Sequence, residues 1–153
     1  HGDWESLRIS WLGGAQCGLA CDLITAAIYA PFELFMALPE WGEPDHSLLD
    51  MALRAGAKIF LSRDPELVLE NAHAVYMGHG QCAAAPLTSG WPLTDELLAL
   101  AAEDAAVLSW HGLAPADRAS DTALRRAAAF WPERLAARRL MEARLYALAC
   151  DSL

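Results

Sequence analysis

The sequence predicts a three-layer α/β domain, with five mostly parallel strands in one sheet and helices on both faces. Two observations predict it. Short apolar runs of strand length alternate with amphipathic segments of helix length, the pattern of parallel strands joined by helical crossovers. The chain has 153 residues, 55% of them hydrophobic and 20% charged, which suits one globular domain that buries roughly 70% of its unfolded surface.

The strands are expected at Leu7 to Leu12 (LRISWL), Phe32 to Leu38 (FELFMAL), Lys58 to Leu61 (KIFL), His73 to Met77 (HAVYM) and Ala106 to Ser109 (AVLS). Each is a run of β-branched, aromatic or other large apolar residues bounded by turn formers. Helices are expected near Gln16 to Tyr29, Ser47 to Ala55, Pro65 to Asn71 and Thr94 to Ala102, with a short one near Ser120 to Ala127. Asp64-Pro65-Glu66 and Thr94-Asp95-Glu96 are helix starts, a capping side chain followed by Pro or acids in the first turn. Glu43-Pro44-Asp45 is read in the same way, as a turn and cap. The last segment, Pro132 to Ala149, is the most helical. Its Leu135, Leu140, Ala143, Leu145 and Leu148 form an apolar stripe expected to cover one sheet face.

Charge narrows the function classes. The formal net charge is -9, and the eleven Lys and Arg are sparse before the C-terminal third, so no basic stripe is available for phosphates and nucleic acid is a poor partner. Arg125, Arg126, Arg134, Arg138, Arg139 and Arg144 read mostly as a solvated face. No apolar run reaches the ~20 residues that span a bilayer. Cys17, Cys21, Cys82 and Cys150 form no CxxC pair, and reduced thiols in a cytoplasmic protein fit them. Convergence of His79, Cys82, Cys17 and His111 on a soft metal is a weak signal; Cys17 and Cys21 read as core, and neither metal nor cofactor is expected. The chain opens on the polar HGDWES rather than Met, which reads as a linker, residues 1–6, entering a domain at 7–153.

In such a sheet, ligands bind beyond the carboxyl ends of the strands. That edge gathers GGAQC at 13–17, PEWGEPDHS at 39–47, GHGQC at 78–82 and WHGLAP from Trp110. Trp11, Trp41, Trp91, Trp110 and Trp131 include several on loops near it, fit either for a pocket or for a domain interface. His111 faces this edge as a functional histidine or as a satisfied strand-end residue.

The order and spacing of these pieces resemble the second, amino-acid-binding domain of the aspartate and ornithine carbamoyltransferases. HGDWESLRISWLGG is similar to that family's interdomain helix exit, first strand and GDGNN turn. WGEPDHSLLDMALRAGAKIFLSRDPELVLENAHAVY is similar to its G-Y-E-P-D turn, helix, strand, T-x-D-P turn and strand ending V-V-Y-T-D. SWHGLAP falls where the family has H-C-L-P, and FWPERLAARRLMEARLYAL where it has its E-N-R register and terminal helix. The resemblance implies a Rossmann-like sheet of order 3-2-1-4-5, which right-handed crossovers permit. It implies carbamoyl phosphate and an amino acid as substrates, a carbamoyl-phosphate-binding first domain outside this chain, and a complete protein that can be a homotrimer.

Position by position, the resemblance makes His111 the histidine that polarises the carbamoyl carbonyl. Gly112 stands in place of the family's cysteine, and Leu113 at its leucine. Gln16 is the nearest surviving amide of the first turn, and Cys17 takes the second asparagine's place. The aspartate that would hold ornithine's amino groups falls on Gly78, followed by His79. Arg138 lies one place late for the family's arginine. An ammonium or carboxylate leaving water needs a charged or well-aimed polar partner, and glycine offers only backbone. Two expectations follow: a carbamoyltransferase-like domain with diverged substrate contacts, or a catalytically degenerate module that binds or scaffolds.

Overall fold

The computed structural model describes residues 4–78, 91–109 and 119–129, together with Ala136 and Leu140. Five strands form one sheet: β1 (Arg8–Leu12), β2 (Glu33–Ala37), β3 (Lys58–Ser62), β4 (Ala74–Met77) and β5 (Ala106–Ser109). Their order is β3-β2-β1-β4-β5 and every pairing is parallel, as expected. The order reverses beside β1, between β1 and β4, the switch point at which open parallel sheets form a crevice. Trp4–Ser6, inside the expected linker, forms a short 3-10 turn.

Helices α1 (Gly18–Tyr29) and α2 (His46–Arg54) cover one face. Ala20, Ile24 and Ala27, spaced by four and three, are the buried stripe of α1. They pack on Ile9, Trp11, Leu34, Met36 and Ile59, which alternate along the strands. The opposite face carries Leu12, Ala37, Val75, Met77 and Val107 against Val68 and Leu69 of α3 (Pro65–Leu69), Leu98 of α4 (Asp95–Leu98), and Ala123 in helical residues 121–129. Burial on both faces is why the inner strands read as continuous apolar runs rather than alternating ones. At the edge strand β3, Phe60 and Leu61 stay exposed, and Phe60 stacks on Phe35 at 4.5 Å, with the Arg8 guanidinium 3.5 Å above the Phe35 ring.

The predicted caps are in place. Asp64 accepts from the Glu66 N–H, Thr94 from the Leu97 N–H and Asp45 from the Leu48 N–H. Helix α2 is shifted by one residue at each end, and α1, α3 and α4 differ from expectation by two residues or more at one end. Helix α1 begins at Gly18 rather than Gln16, because Ala15 N–H bonds to Gly42 O and Cys17 is extended. Helix α3 stops at Leu69 because Asn71 turns left-handed, with φ of 56°, and gives its N–H to Leu100 O. Helix α4 stops at Leu98, since Ala102 N–H is taken by Ala72 O, which sets the chain up to enter β5. Of the terminal segment Pro132 to Ala149, Ala136 and Leu140 are helical and both are exposed, so Leu140 is not part of a buried stripe. The other residues of that segment lie outside the described residues.

Candidate functional site

At the carboxyl edge, backbone contacts lock the ends of three strands, β1, β2 and β4, together. Gly13 N–H donates to Ala37 O at 3.0 Å, joining the end of β1 to β2, and Gly78 N–H donates to Leu12 O at 2.7 Å, joining the end of β4 to β1. Gly13 has φ of 127°, a conformation natural to glycine, and a Cβ there would stand 3.2 Å from the carbonyl carbon of Gly78. The next turn closes as tightly: a Cβ on Gly42 would lie 2.7 Å from Gly14 Cα, and Ala15 N–H donates to Gly42 O at 2.9 Å. Glycines are required here because two loops pass each other at backbone contact.

Arg63, just after β3, holds the second loop from below. Its Nη1 donates to Leu38 O and Pro39 O, and its Nη2 pairs with Glu43 Oε1. A cavity of about 170 Å³ opens between Leu38, Glu43, Leu61, Ser62 and Arg63. It lies on the β2–β3 flank, away from the crevice between β1 and β4, so it is the gap beneath this clasp rather than the predicted ligand position. Glu43, read from sequence as part of a turn, is the anionic half of the clasp.

Trp11 dominates the crevice. It is fully buried, stacks on Tyr76 with centroids 6.4 Å apart, and its Nε1–H donates to Gly13 O at 3.0 Å. A Cβ on Gly78 would stand 2.4 Å from Cζ2 and 2.6 Å from Cε2 of this indole. Trp11, which the sequence places in the first strand, is a core residue that reaches up under the strand ends. Trp41 and Trp91 are half-buried, packed against the two cores on opposite faces.

Of the sequence-predicted contacts, Gln16, Cys17 and Gly78 are described. Gln16 is exposed at the mouth of α1, free of the core. Cys17 is buried as the N-cap residue of α1, and its thiol makes no cap hydrogen bond, so it reads as core rather than as a ligand contact. Cys21, one turn on, is half-buried; burial first, and then the neighbouring Cys17, Asp45 and Asp22, raise its thiol above the ordinary range and keep it protonated at neutral pH. Gly78 lies at the crevice with room for backbone only. His79, His111, Gly112, Leu113 and Arg138 lie outside the described residues, as does Cys82. No cluster of His, Cys, Asp or Glu suited to a metal occurs among the described residues, and none of their helices is long and apolar enough to cross a membrane.

Sequence reasoning missed Trp11, Arg63 and Glu43 as builders of this edge. The paired glycines at 13 and 78 were the available signal, but only strand register places Trp11 level with Tyr76 and beneath Gly78.

No family model matches this chain. It is 52% identical over 73 residues to an ornithine carbamoyltransferase of Nitratidesulfovibrio vulgaris, covering 48% of this chain and 24% of that protein. It is 42% identical over 111 residues to the ornithine carbamoyltransferase of Oleidesulfovibrio alaskensis, covering 67% of this chain and 37% of that protein. The matched part thus spans well under half the length of these relatives. Among solved structures, the ornithine carbamoyltransferase of Gloeobacter violaceus superposes with a TM-score of 0.67 at 23% identity, over 81% of this chain and 44% of the other. The ornithine transcarbamoylase of Giardia lamblia gives 0.69 at 14% identity, over 80% and 43%. These two share the fold, and the sequence matches carry the relationship further: the chain belongs to the carbamoyltransferase family, as one domain of it.

Proposed function

We propose that this chain, over 7–153, is the amino-acid-binding domain of an ornithine carbamoyltransferase-like protein, joined through 1–6 to a carbamoyl-phosphate-binding domain. The 42% identity over 111 residues to a protein named ornithine carbamoyltransferase carries this reading. In the reaction, the substrate's amine nitrogen attacks the carbamoyl carbon and the bond from that carbon to the phosphate oxygen breaks. Phosphate leaves with the bonding pair, and the nitrogen gives up a proton. His111, just past β5, polarises the carbamoyl oxygen, which lowers the barrier as charge develops there. Gln16, Cys17, Gly78, His79, Gly112, Leu113 and Arg138 stand at the positions that would meet the amino acid, several of them altered or, like Cys17, turned inward. The complete protein works as a homotrimer in the cytoplasm.

Phosphate release tests the reading. The complete natural protein should release phosphate from carbamoyl phosphate when ornithine is added, and this chain alone should release none. His111→Ala in the complete protein should lose about 10²-fold or more in rate with folding intact. Unchanged activity per folded molecule would make His111 structural. A complete protein with no transferase activity would leave the second reading, a degenerate binding or scaffold module, which the side-chain-free position at Gly78 favours. Calorimetry on this chain with ornithine and with aspartate should find binding weaker than about 10 μM, or roughly 7 kcal/mol.

A further inference from the structure

We propose that the outer edge of β3 is a self-association surface, on which a second copy of this chain lays its own β3 antiparallel and continues the sheet across a two-fold axis at Phe60. Strand β3 stands at the end of the strand order and pairs on one side only among the described residues. The ladder settles which groups point where: Leu38 N–H donates to Ser62 O, and alternate residues of a parallel strand turn both backbone groups to the same neighbour. Lys58, Phe60 and Ser62 thus face β2, and Ile59 and Leu61 turn N–H and C=O outward. Natural edges are blunted by proline, a bulge or charge. Strand β3 has no proline, and its register against β2 is unbroken from Lys58 to Ser62. Its one charge, Lys58, stands at the first position and is paired with Glu33. Beyond it the edge is apolar, with Phe60 47% and Leu61 40% exposed.

The occupant is a second copy because the edge is complementary to itself. Setting Phe60 opposite the partner's Phe60 sets Ile59 opposite the partner's Leu61, so the outward groups of each strand meet those of the other in hydrogen-bonded pairs. The side chains agree with this register. Leu61 meets the partner's Ile59 on the face that carries α2, and Lys58 meets the partner's Ser62, so no like charges are opposed. On the other face the two Phe60 rings meet, each already stacked on its own Phe35 at 4.5 Å. A slip in one direction would oppose Leu61 to Ala57, whose amide is already given to Ala52 O at 3.1 Å. A slip in the other would oppose Ile59 to the charged Arg63. One strand edge is a small interface, of the class below about 1,200 Å² in total, so association at roughly 10–100 μM is expected.

The test is sedimentation equilibrium on the full chain, from about 1 to 500 μM, which brackets that range. The mass should double with concentration, and Phe60→Lys and Leu61→Pro should each raise the dissociation constant at least 10-fold, the second by removing an outward N–H while leaving the ladder to β2 intact. Thermal melting checks that each variant folds, and Leu61→Lys replaces Leu61→Pro if that one does not. Cross-linking tests the register: directly opposed, non-hydrogen-bonded residues lie about 4.5 Å apart at Cα, within disulfide reach. Phe60→Cys should therefore form an intermolecular disulfide between the substituted positions, mapped by mass spectrometry, at least 10-fold faster than Leu61→Cys. A dimer that both edge variants leave intact, or equal cross-linking at the two positions, would overturn the proposal. So would a chain that stays monomeric throughout; protected Ile59 and Leu61 amides in that monomer would mean that another segment of the same chain covers the edge. None of these outcomes touches the proposed function.

Discussion

Ser10 sits at the centre of β1, wholly buried, and its hydroxyl donates to Val68 O at 2.6 Å. That bond holds the end of α3 down on the sheet. Ser10→Ala should cost about 1–2 kcal/mol, because the carbonyl it leaves behind is desolvated and bare; urea unfolding measures it, and a neutral result would mean the carbonyl finds another donor. Asp95 works at the surface by a different route. The Ser120 hydroxyl first, then Thr122, and then the charge of Arg125 hold its carboxyl below the ordinary range. A depressed folded value means that the contribution is present above the unfolded pKa of about 4 and is lost as pH falls through the lower folded value. Asp95→Asn should therefore shrink the difference in stability between about pH 7 and pH 3. Identical pH profiles for variant and wild type would contradict this coupling of α4 to residues 120–122.

Arg63 shows which interaction wins when an element is fastened by several. Its ion pair with Glu43 is half-exposed, and such pairs contribute about 0.2–1 kcal/mol. Its bonds to Leu38 O and Pro39 O are charge-assisted and hold the backbone of the loop after β2, a kind worth about 1.5–3 kcal/mol. Arg63→Met should consequently destabilise more than Glu43→Gln does. It should also speed hydrogen exchange at Ala15 and Gly42, whose amides depend on that loop's position. Equal effects of the two substitutions would make the ion pair the main fastening. At this scale the caps were legible in the sequence, since Asp45, Asp64 and Thr94 act on neighbours two or three residues away. The helix ends were not, because the carbonyls of Leu100 and Ala72 take amides just past α3 and α4, and that of Gly42 takes the Ala15 amide ahead of α1, all from a distance.

For the whole molecule, stability rests on two apolar layers either side of the sheet. Leu34 lies wholly buried in the layer under α1 and α2. Leu34→Ala should cost about 2–5 kcal/mol, the transfer free energy plus that of the cavity left behind. Against a typical domain stability of about 5–15 kcal/mol, that is a large share. Guanidinium unfolding should show the midpoint fall with the slope unchanged; a changed slope would mean that the two layers unfold separately. Lys58 and Glu33, paired across β2 and β3 at 3.9 Å, lie on the exposed rim and should matter far less.

Period and punctuation in the sequence determined the strands, the helices and which loops share the carboxyl edge, because apolar spacing and capping act over a few residues. The strand order came from the resemblance of whole motifs. Only the tertiary structure decided what that edge contains. Gly78 looked like a lost aspartate, and the structure shows what a side chain there would meet: parallel register sets Trp11 beside Tyr76, and the indole fills the space that a Cβ at 78 would need. Cys17 was placed both at the ligand and in the core, and the extended cap before α1 turns it inward. Arg63 and Glu43 are twenty positions apart, so no local pattern could join them. Such contacts depend on which loops the sheet brings together, and that is a property of packing at a distance rather than of any short stretch of chain.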